Sequence, residues 1–342
     1  MKMRLHRKHS EVNPAQPNLP HPLDRGGGVC AVLSVRNAPP RNLDAFIREI
    51  AVGIGQVYGP AAAQAYRDRA ERGFGATLAT PGAALFTLST PDRNAIALLI
   101  AVRRDEGVDF PLVHVLAPYA GGRLEHYLVA AAARHYRDAG VAFILSETIP
   151  NAPMALDAAF GEAGFTATPR GLFQITTASL SASIAAAQGV AAGAPIRPSD
   201  FGGVATCISA AYADHPGRWL HPEVRQADDA RMLLLRLLAG AYGPVLPNYC
   251  RVQRVGNNVQ GALLGCEVAP GVGFVVQLVV APEARGQGIA TRLLGEFAEA
   301  CHAAGVEKIA LGVTLDNPAR KLYERLGFSL LRPITAYTWW RG

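Results

Sequence analysis

Residues 113–165 and 278–328 of this chain run through the same elements in the same order, and an internal repeat of that length constrains the fold more than any single motif. Each copy opens on an apolar strand rich in β-branched residues that ends in Ala-Pro (Ala117-Pro118; Ala281-Pro282). Each continues into an Ala/Leu-rich helix closing on Ala-Gly-Val (Ala139-Gly140-Val141; Ala304-Gly305-Val306). A strand follows, then an Asn that starts a short helix (Asn151; Asn317), which ends at Gly-Phe (Gly164-Phe165; Gly327-Phe328). Two copies of alternating strands and helices predict an α/β chain with a mixed sheet in each half.

Local chemistry supports the repeat boundaries. Asn317 suits an N-cap, Pro318 the first helical position and Gly327 the left-handed residue past a helix end, which predicts a helix of about two and a half turns. In the preceding helix Ile289, Leu293, Leu294, Phe297, Ala298 and Cys301 recur every three to four residues, so one face packs on the sheet and Cys301 belongs to the core. Before the second copy, the pattern predicts a strand near 195–197, helices over 200–212 and 222–239, and strands over 249–255 and 258–268. A last strand near 336–341 closes it. Before the first copy come helices over 43–56 and 61–72 and strands over 84–88 and 95–103. The Ala/Ser/Gly-rich stretch between them divides the chain into a flexible basic arm (1–28), a first domain (29–180), a linker (181–194) and a second domain (195–342).

The chain is 342 residues long, with 50% hydrophobic and 18% charged residues, enough apolar material for two cores and too much for a disordered chain. Its longest apolar run, 95–102, falls far short of the roughly 20 residues of a membrane span. The first 28 residues lack an apolar signal core, so the expected location is cytoplasmic, with no membrane partner. Five cysteines at wide, unpatterned spacing indicate neither a disulfide framework nor a metal site. Half of the net charge of +6 sits in the basic arm, and no basic helix interleaved with aromatics is present, so a nucleic-acid partner is not expected.

The sharpest local signal is the stretch from Val280 to Thr291, a strand end, a turn with two glycines and a helix start. Glycines let a backbone approach a ligand closely, and free N–H groups at a helix start bind phosphate oxygens, so a pyrophosphate is the natural guest. A dinucleotide fingerprint would need a third glycine where Thr291 stands, and no Walker-type Gly-Lys-Ser/Thr is present.

Arg285-Gly286-Gln287-Gly288-Ile289-Ala290 resembles the pyrophosphate loop, Q/R-x-x-G-x-G/A, of the GNAT superfamily of acyl-CoA-dependent N-acyltransferases. Asn317 and the run Leu322-Tyr323-Glu324-Arg325-Leu326-Gly327-Phe328 resemble the later segment of the same family, in the family's order and spacing. The resemblance covers about 196–340 and implies two tandem GNAT-like domains, each a mixed β-sheet flanked by helices. It also implies acetyl-CoA as co-substrate, with no metal, and a small-molecule or peptide amine as acceptor. Carried over residue by residue, Arg285, Gly286, Gln287, Gly288, Ile289 and Ala290 hold the pyrophosphate. Leu278 and Val280 offer backbone groups to pantetheine, Asn317 contacts the cofactor, and Tyr323 is the general acid. A phenol with a pKa near 10 can protonate a leaving thiolate without being ionised at neutral pH. Arg320 and Lys321 are within reach of the 3′-phosphate.

The first copy lacks these motifs. Aligned without a gap on Ala-Pro, it sets Gly121 against Arg285 and Leu124 against Gly288; aligned on Asn, it sets Asp157 against Tyr323. The expectation is one degenerate half that buries surface and frames the acceptor pocket, and one competent half. For the general base the sequence leaves open Glu267, Asp214, His215, His221 or a water relay, since the strand before the loop offers only Gln277. The loop over 214–221 is where the acceptor site would form. The expected function is acetyl transfer to a primary amine; the alternatives are a non-catalytic acyl-CoA sensor and a nicotinamide-dependent oxidoreductase, with Glu307 as its only nearby ribose ligand.

Overall fold

The computed structural model describes residues 31–104, 106–121, 123–148, 156–184, 193–246 and 248–342. The expected basic arm, Cys30, Asn151 and residues 185–192 of the expected linker lie outside the described residues. The first half contains β1 (Val32–Arg36), α1 (Leu43–Tyr58), α2 (Pro60–Ala79), β2 (Ala83–Ser89), β3 (Ala95–Arg103) and β4 (Gly107–Val115). It continues with α3 (Leu124–Asp138), β5 (Phe143–Thr148), α4 (Leu156–Glu162), β6 (Thr166–Thr176) and α5 (Thr177–Ile184). The second half contains β7 (Ala194–Pro195), α6 (Phe201–Tyr212), α7 (Ala227–Leu238), β8 (Arg251–Val255) and β9 (Asn258–Ala269). Then come β10 (Val272–Val280), α8 (Ile289–Ala303), β11 (Lys308–Thr314), α9 (Arg320–Arg325) and β12 (Ser329–Trp340).

The strands form one twelve-stranded sheet in the order β1-β2-β3-β4-β5-β12-β6-β11-β10-β9-β8-β7. The two halves therefore join edge to edge, and each gives its last strand to the other. β6 pairs antiparallel with β11, from Lys308 opposite Thr176 to Thr314 opposite Arg170. β12 pairs antiparallel with β5, from Thr335 opposite Thr148 to Trp340 opposite Phe143. β6 and β12 pair with each other at the centre. The exchange is visible in the cores: Phe173, Ile175, Leu180 and Ile184, from β6 and α5, are buried among second-half residues, while Tyr337 of β12 is buried in the first half. Parallel pairing occurs only between β4 and β5 and between β10 and β11 among the described residues. Such a sheet is mostly antiparallel and does not suit the doubly wound parallel fold of a nicotinamide dehydrogenase.

Helix α8 buries the face read from its spacing: Ile289, Leu293, Leu294, Phe297, Ala298 and Cys301 are all in the core. Cys207, Cys250, Cys266 and Cys301 are free thiols in buried positions, and burial pushes the Cys266 and Cys301 thiols up to about 12. Some boundaries differ from the sequence reading. The helix expected over 222–239 is a tight turn at Pro222–Val224 followed by α7, because Gln226 is extended and breaks the run. α9 is shorter than expected, since residues 317–319 form a separate turn in which the Asn317 side chain accepts the Ala319 N–H at 2.8 Å. β12 is longer than expected, since it crosses both halves' sheets.

Candidate active site

Strand β10 is bonded to β9 along its length but to β11 only from Val272–Lys308 to Val275–Leu311. Past that point the two parallel strands part, and β11 runs on to Thr314 without β10 beside it. The register of β10 shifts between Val275 and Gln277, a bulge that bends the strand where the gap opens. The Ala281 N–H reaches back to the Gln260 carbonyl on the β9 side. Because successive amides of a strand face opposite edges, the Val279 N–H shares that side, and the Leu278 and Val280 amides face the gap. An extended chain with its own N–H and C=O groups could pair there as an added strand.

At the end of β10 the chain makes a tight turn at Pro282–Ala284, then places Gly286 at φ 77° and Gly288 at φ 79° ahead of α8. Both are left-handed positions that favour glycine. The Ile289 side chain is buried, so what it offers to the gap is its backbone at the helix start. The Arg285 guanidinium donates to the Ala211 carbonyl at 3.2 Å and ties the loop to the end of α6. Gln287 is exposed and Ala290 half-buried.

The first half contains the same loop, with a register one residue away from the expected one. β4 and β10 are both nine residues long, α3 and α8 both fifteen, and Gly107, Leu124 and Phe143 correspond to Val272, Ile289 and Lys308. Gly121, at φ 86°, therefore stands for Gly286, and the counterpart of Gly288 is Arg123, at φ 59°, rather than Leu124. Position 157 is likewise not the counterpart of Tyr323. Phe165 N–H bonds the Phe160 carbonyl just as Phe328 N–H bonds that of Tyr323, each at 3.0 Å, so Phe160 takes that place. The sequence alignments failed because Ala-Pro and Asn do not mark the shared register, which is offset by one residue from the first and by three from the second. The hydroxyl is still absent from the first half, through a Tyr-to-Phe difference.

A cleft opens where β10 and β11 part, lined by Arg170, Tyr212, His215, Gly217, His221, Val275–Leu278, Leu311–Thr314, Asn317, Ala319 and Tyr323. Tyr323 is 7% exposed and lines the cleft. Burial, and secondarily the neighbouring Tyr212, raise its pKa well above the usual phenol value. Tyr212 donates its hydroxyl to Gln277 Oε1 at 3.1 Å, and its pKa too is raised by burial. His221 lies between two partners: Nδ1 is 3.4 Å from Glu223 Oε1 and Nε2 is 3.4 Å from an Arg170 terminal nitrogen. Burial alone would raise the Glu223 carboxyl, but the His221 hydrogen bond and charge, with Arg104 beyond, outweigh it and hold the pKa below the usual range.

Of the open base candidates, His215 and His221 reach the cleft. Nδ1 of His215 accepts the Gly217 N–H at 2.9 Å, which uses that lone pair and leaves Nε2 as the protonated nitrogen. Asp214 is exposed and outside the cleft lining. Glu267 lies opposite Gly273 at the far end of β10, about 23 Å of strand from Val280, and accepts the Gly271 N–H at 2.8 Å. Of the expected cofactor contacts, Leu278 and Asn317 line the cleft with Tyr323, while Val280 ends β10 and 285–290 form the adjoining loop and the start of α8. Arg320 is spent on Glu324 at 2.7 Å and the Leu315 carbonyl, and Lys321 is exposed. Sequence reasoning missed Arg170 and Tyr212. Tyr212 ends an apolar helix without a motif, and Arg170 lies in the other half of the chain, brought in by strand exchange.

Residues 213–328 match the family described as Acetyltransferase (GNAT) family. Over 66 residues the chain is 36% identical to N-alpha-acetyltransferase 30 of Schizosaccharomyces pombe, a stretch covering 19% of this chain and 44% of that protein, so the similarity spans less than half of the relative. Among solved structures, a GCN5-related N-acetyltransferase from Sphaerobacter thermophilus superposes with a TM-score of 0.62 at 18% identity, covering 90% of this chain and 95% of that one. A tandem GNAT protein from the clavulanic acid biosynthesis pathway superposes with a TM-score of 0.54 at 15% identity, covering 91% and 99%. Both resemblances are of fold.

Proposed function

Because residues 213–328 match the GNAT acetyltransferase family, we propose that the chain transfers the acetyl group of acetyl-CoA directly to the amine of a small-molecule or peptide acceptor. The observation that carries this reading is the parting of β10 from β11, which turns the Leu278 and Val280 amides toward a cleft that also holds the buried Tyr323 side chain. The residues suit the co-substrate. Gly286, Gly288 and the start of α8 offer backbone N–H groups to a pyrophosphate, with Arg285, Gln287, Ile289 and Ala290 completing the loop and Asn317 across the cleft. The open edge of β10 suits the amides of pantetheine.

In this reading the amine nitrogen forms a bond to the acetyl carbon as the carbon–sulfur bond breaks. The Val280 N–H, directed at the carbonyl oxygen, stabilises the charge that develops there. His221 takes the proton that the amine sheds. With Nδ1–H donated to Glu223, its Nε2 carries the lone pair, 3.4 Å from an Arg170 terminal nitrogen at the cleft wall, and the carboxylate fixes tautomer and orientation. Tyr323, a phenol protonated at neutral pH, gives its proton to the departing thiolate.

The test is calorimetric titration with acetyl-CoA followed by thiol release with a panel of primary amines. One site per chain and amine-dependent thiol release are expected. Binding without release for any amine would favour the acyl-CoA sensor, and absence of binding would overturn the proposal. His221→Gln should cut turnover by about 10²-fold or more, with acetyl-CoA affinity unchanged.

A further inference from the structure

We infer, on top of the acetyl-transfer reading, that the acceptor is an amine carrying a carboxylate, and that Arg170, delivered by the first half, is the residue that recognises it. Arg170 is only 6% exposed and lies on β6, opposite Thr314 at the far end of β11, where β10 no longer runs alongside. Its side chain lines the cleft with Tyr212, His221 and Tyr323. One terminal nitrogen bonds Glu147 Oε2 at 2.6 Å, while the buried Nε has no partner.

A guanidinium is a planar fork built to meet a carboxylate through two parallel N–H groups, and a buried donor left unpaired costs the protein stability. Gly312 makes room for the fork: a Cβ at that position would stand 3.2 Å from an Arg170 terminal nitrogen. The chain thus keeps a glycine on β11 beside a buried cation whose hydrogen-bonding capacity is not used up by Glu147. An ion pair serving only to join β5 and β6 would not need a position in the cleft. The cation also sits beside His221, the group proposed to deprotonate the amine, which sets the carboxylate close to the reacting nitrogen, as in an amino acid. Recognition by a buried charge is selective, because an acceptor without the carboxylate leaves the guanidinium desolvated and unpaired.

The experiment compares acceptors in matched sets, each an amino acid, its carboxamide and the corresponding amine without the carboxyl group, with the full-length protein and with Arg170→Gln and Arg170→Lys. Calorimetry with acetyl-CoA is run on all three proteins. The expected result is a kcat/KM for the acids at least about 100-fold above that of their neutral partners. Arg170→Gln should erase that advantage mainly through KM, with acetyl-CoA affinity and melting temperature near wild type, and Arg170→Lys should restore part of it. Neutral amines turned over as well as the acids, an acid preference that survives in Arg170→Gln, or acetyl-CoA binding with no turnover of any acid would each overturn the inference. Neutral-amine turnover would leave the acetyl-transfer reading standing, whereas failure to bind acetyl-CoA would remove both.

Discussion

The two halves share their architecture down to the parting of the parallel strands, yet differ at each place where acyl chemistry would be done. β4 is bonded to β5 only from Gly107 to Asp109, as β10 is to β11 only from Val272 to Val275. At the loop, the second half has Gly288 in the left-handed conformation and the first has Arg123, whose guanidinium holds the Glu162 carboxylate at 2.5 and 2.8 Å. A carboxylate drawn to the start of α3 opposes a phosphate there. Glu49 accepts the Ala117 N–H at 3.0 and 3.2 Å, where the second half has Pro282 and no donor. Phe160 stands for Tyr323 and stacks on Tyr337 of the exchanged strand, centroids 4.1 Å apart. Burial maintains a fold through many weak contacts, whereas chemistry depends on a few groups and is lost with them. The first half keeps a part in the site through β6, which carries Arg170 into the cleft.

The comparison breaks most completely if the halves are separated. Residues 193–342 expressed alone lose β6 from between β11 and β12, along with Phe173, Ile175, Leu180 and Ile184 from their core. Burying each such side chain is worth roughly 1.5–3 kcal/mol, so their loss matches a typical net stability of about 5–15 kcal/mol. No cooperative melt is expected for that fragment, and co-expression with residues 31–184 should restore one; an independently folded fragment would show that the exchange is dispensable.

Tyr323→Phe copies Phe160 into the second half. Turnover should fall by about 10²–10⁴-fold with acetyl-CoA affinity within about twofold of wild type. Steady-state kinetics with thiol detection checks this, and an unchanged kcat would remove Tyr323 from the mechanism. Gly288→Leu forces a side chain into a left-handed position, at about 1–2 kcal/mol, and sets it against the helix-start amides. Acetyl-CoA affinity should drop at least about tenfold, while Arg123→Leu in the first half should leave it unchanged. Equal losses in both variants by calorimetry would mean that both loops bind.

The smallest effect concerns pH. Burial raises the Tyr323 pKa in the folded chain, so the unfolded chain releases that proton first, near pH 10. The stabilising contribution is complete below that value and declines as pH rises through it toward the folded pKa. Between pH 9 and pH 11 the melting temperature of Tyr323→Phe should therefore fall less than that of wild type.

Much of the fold was legible because it rests on local periodicity. β3 runs over the 95–103 expected from its apolar run, and α8 buries the face that its spacing defined. The glycine loop and Tyr323 were legible because left-handed backbone and a phenol in a fixed context leave a mark in the residue types themselves. The true counterparts of Gly288 and Tyr323 were not, since the two copies diverge in loop length and only strand register and helix ends show which residues correspond.

By itself, the sequence determined that the chain repeats an α/β unit, and which half, loop and phenol resemble the acyl-CoA motifs. The tertiary structure decided that the halves exchange their last strands into one sheet, and that His221 rather than Glu267 or Asp214 faces the cleft. It also decided that Arg170 lines the cleft from more than a hundred residues away from the glycine loop. Local patterns arise from interactions between near neighbours in the chain. Strand partnership is chosen by burial and hydrogen bonding between segments that the sequence does not bring together.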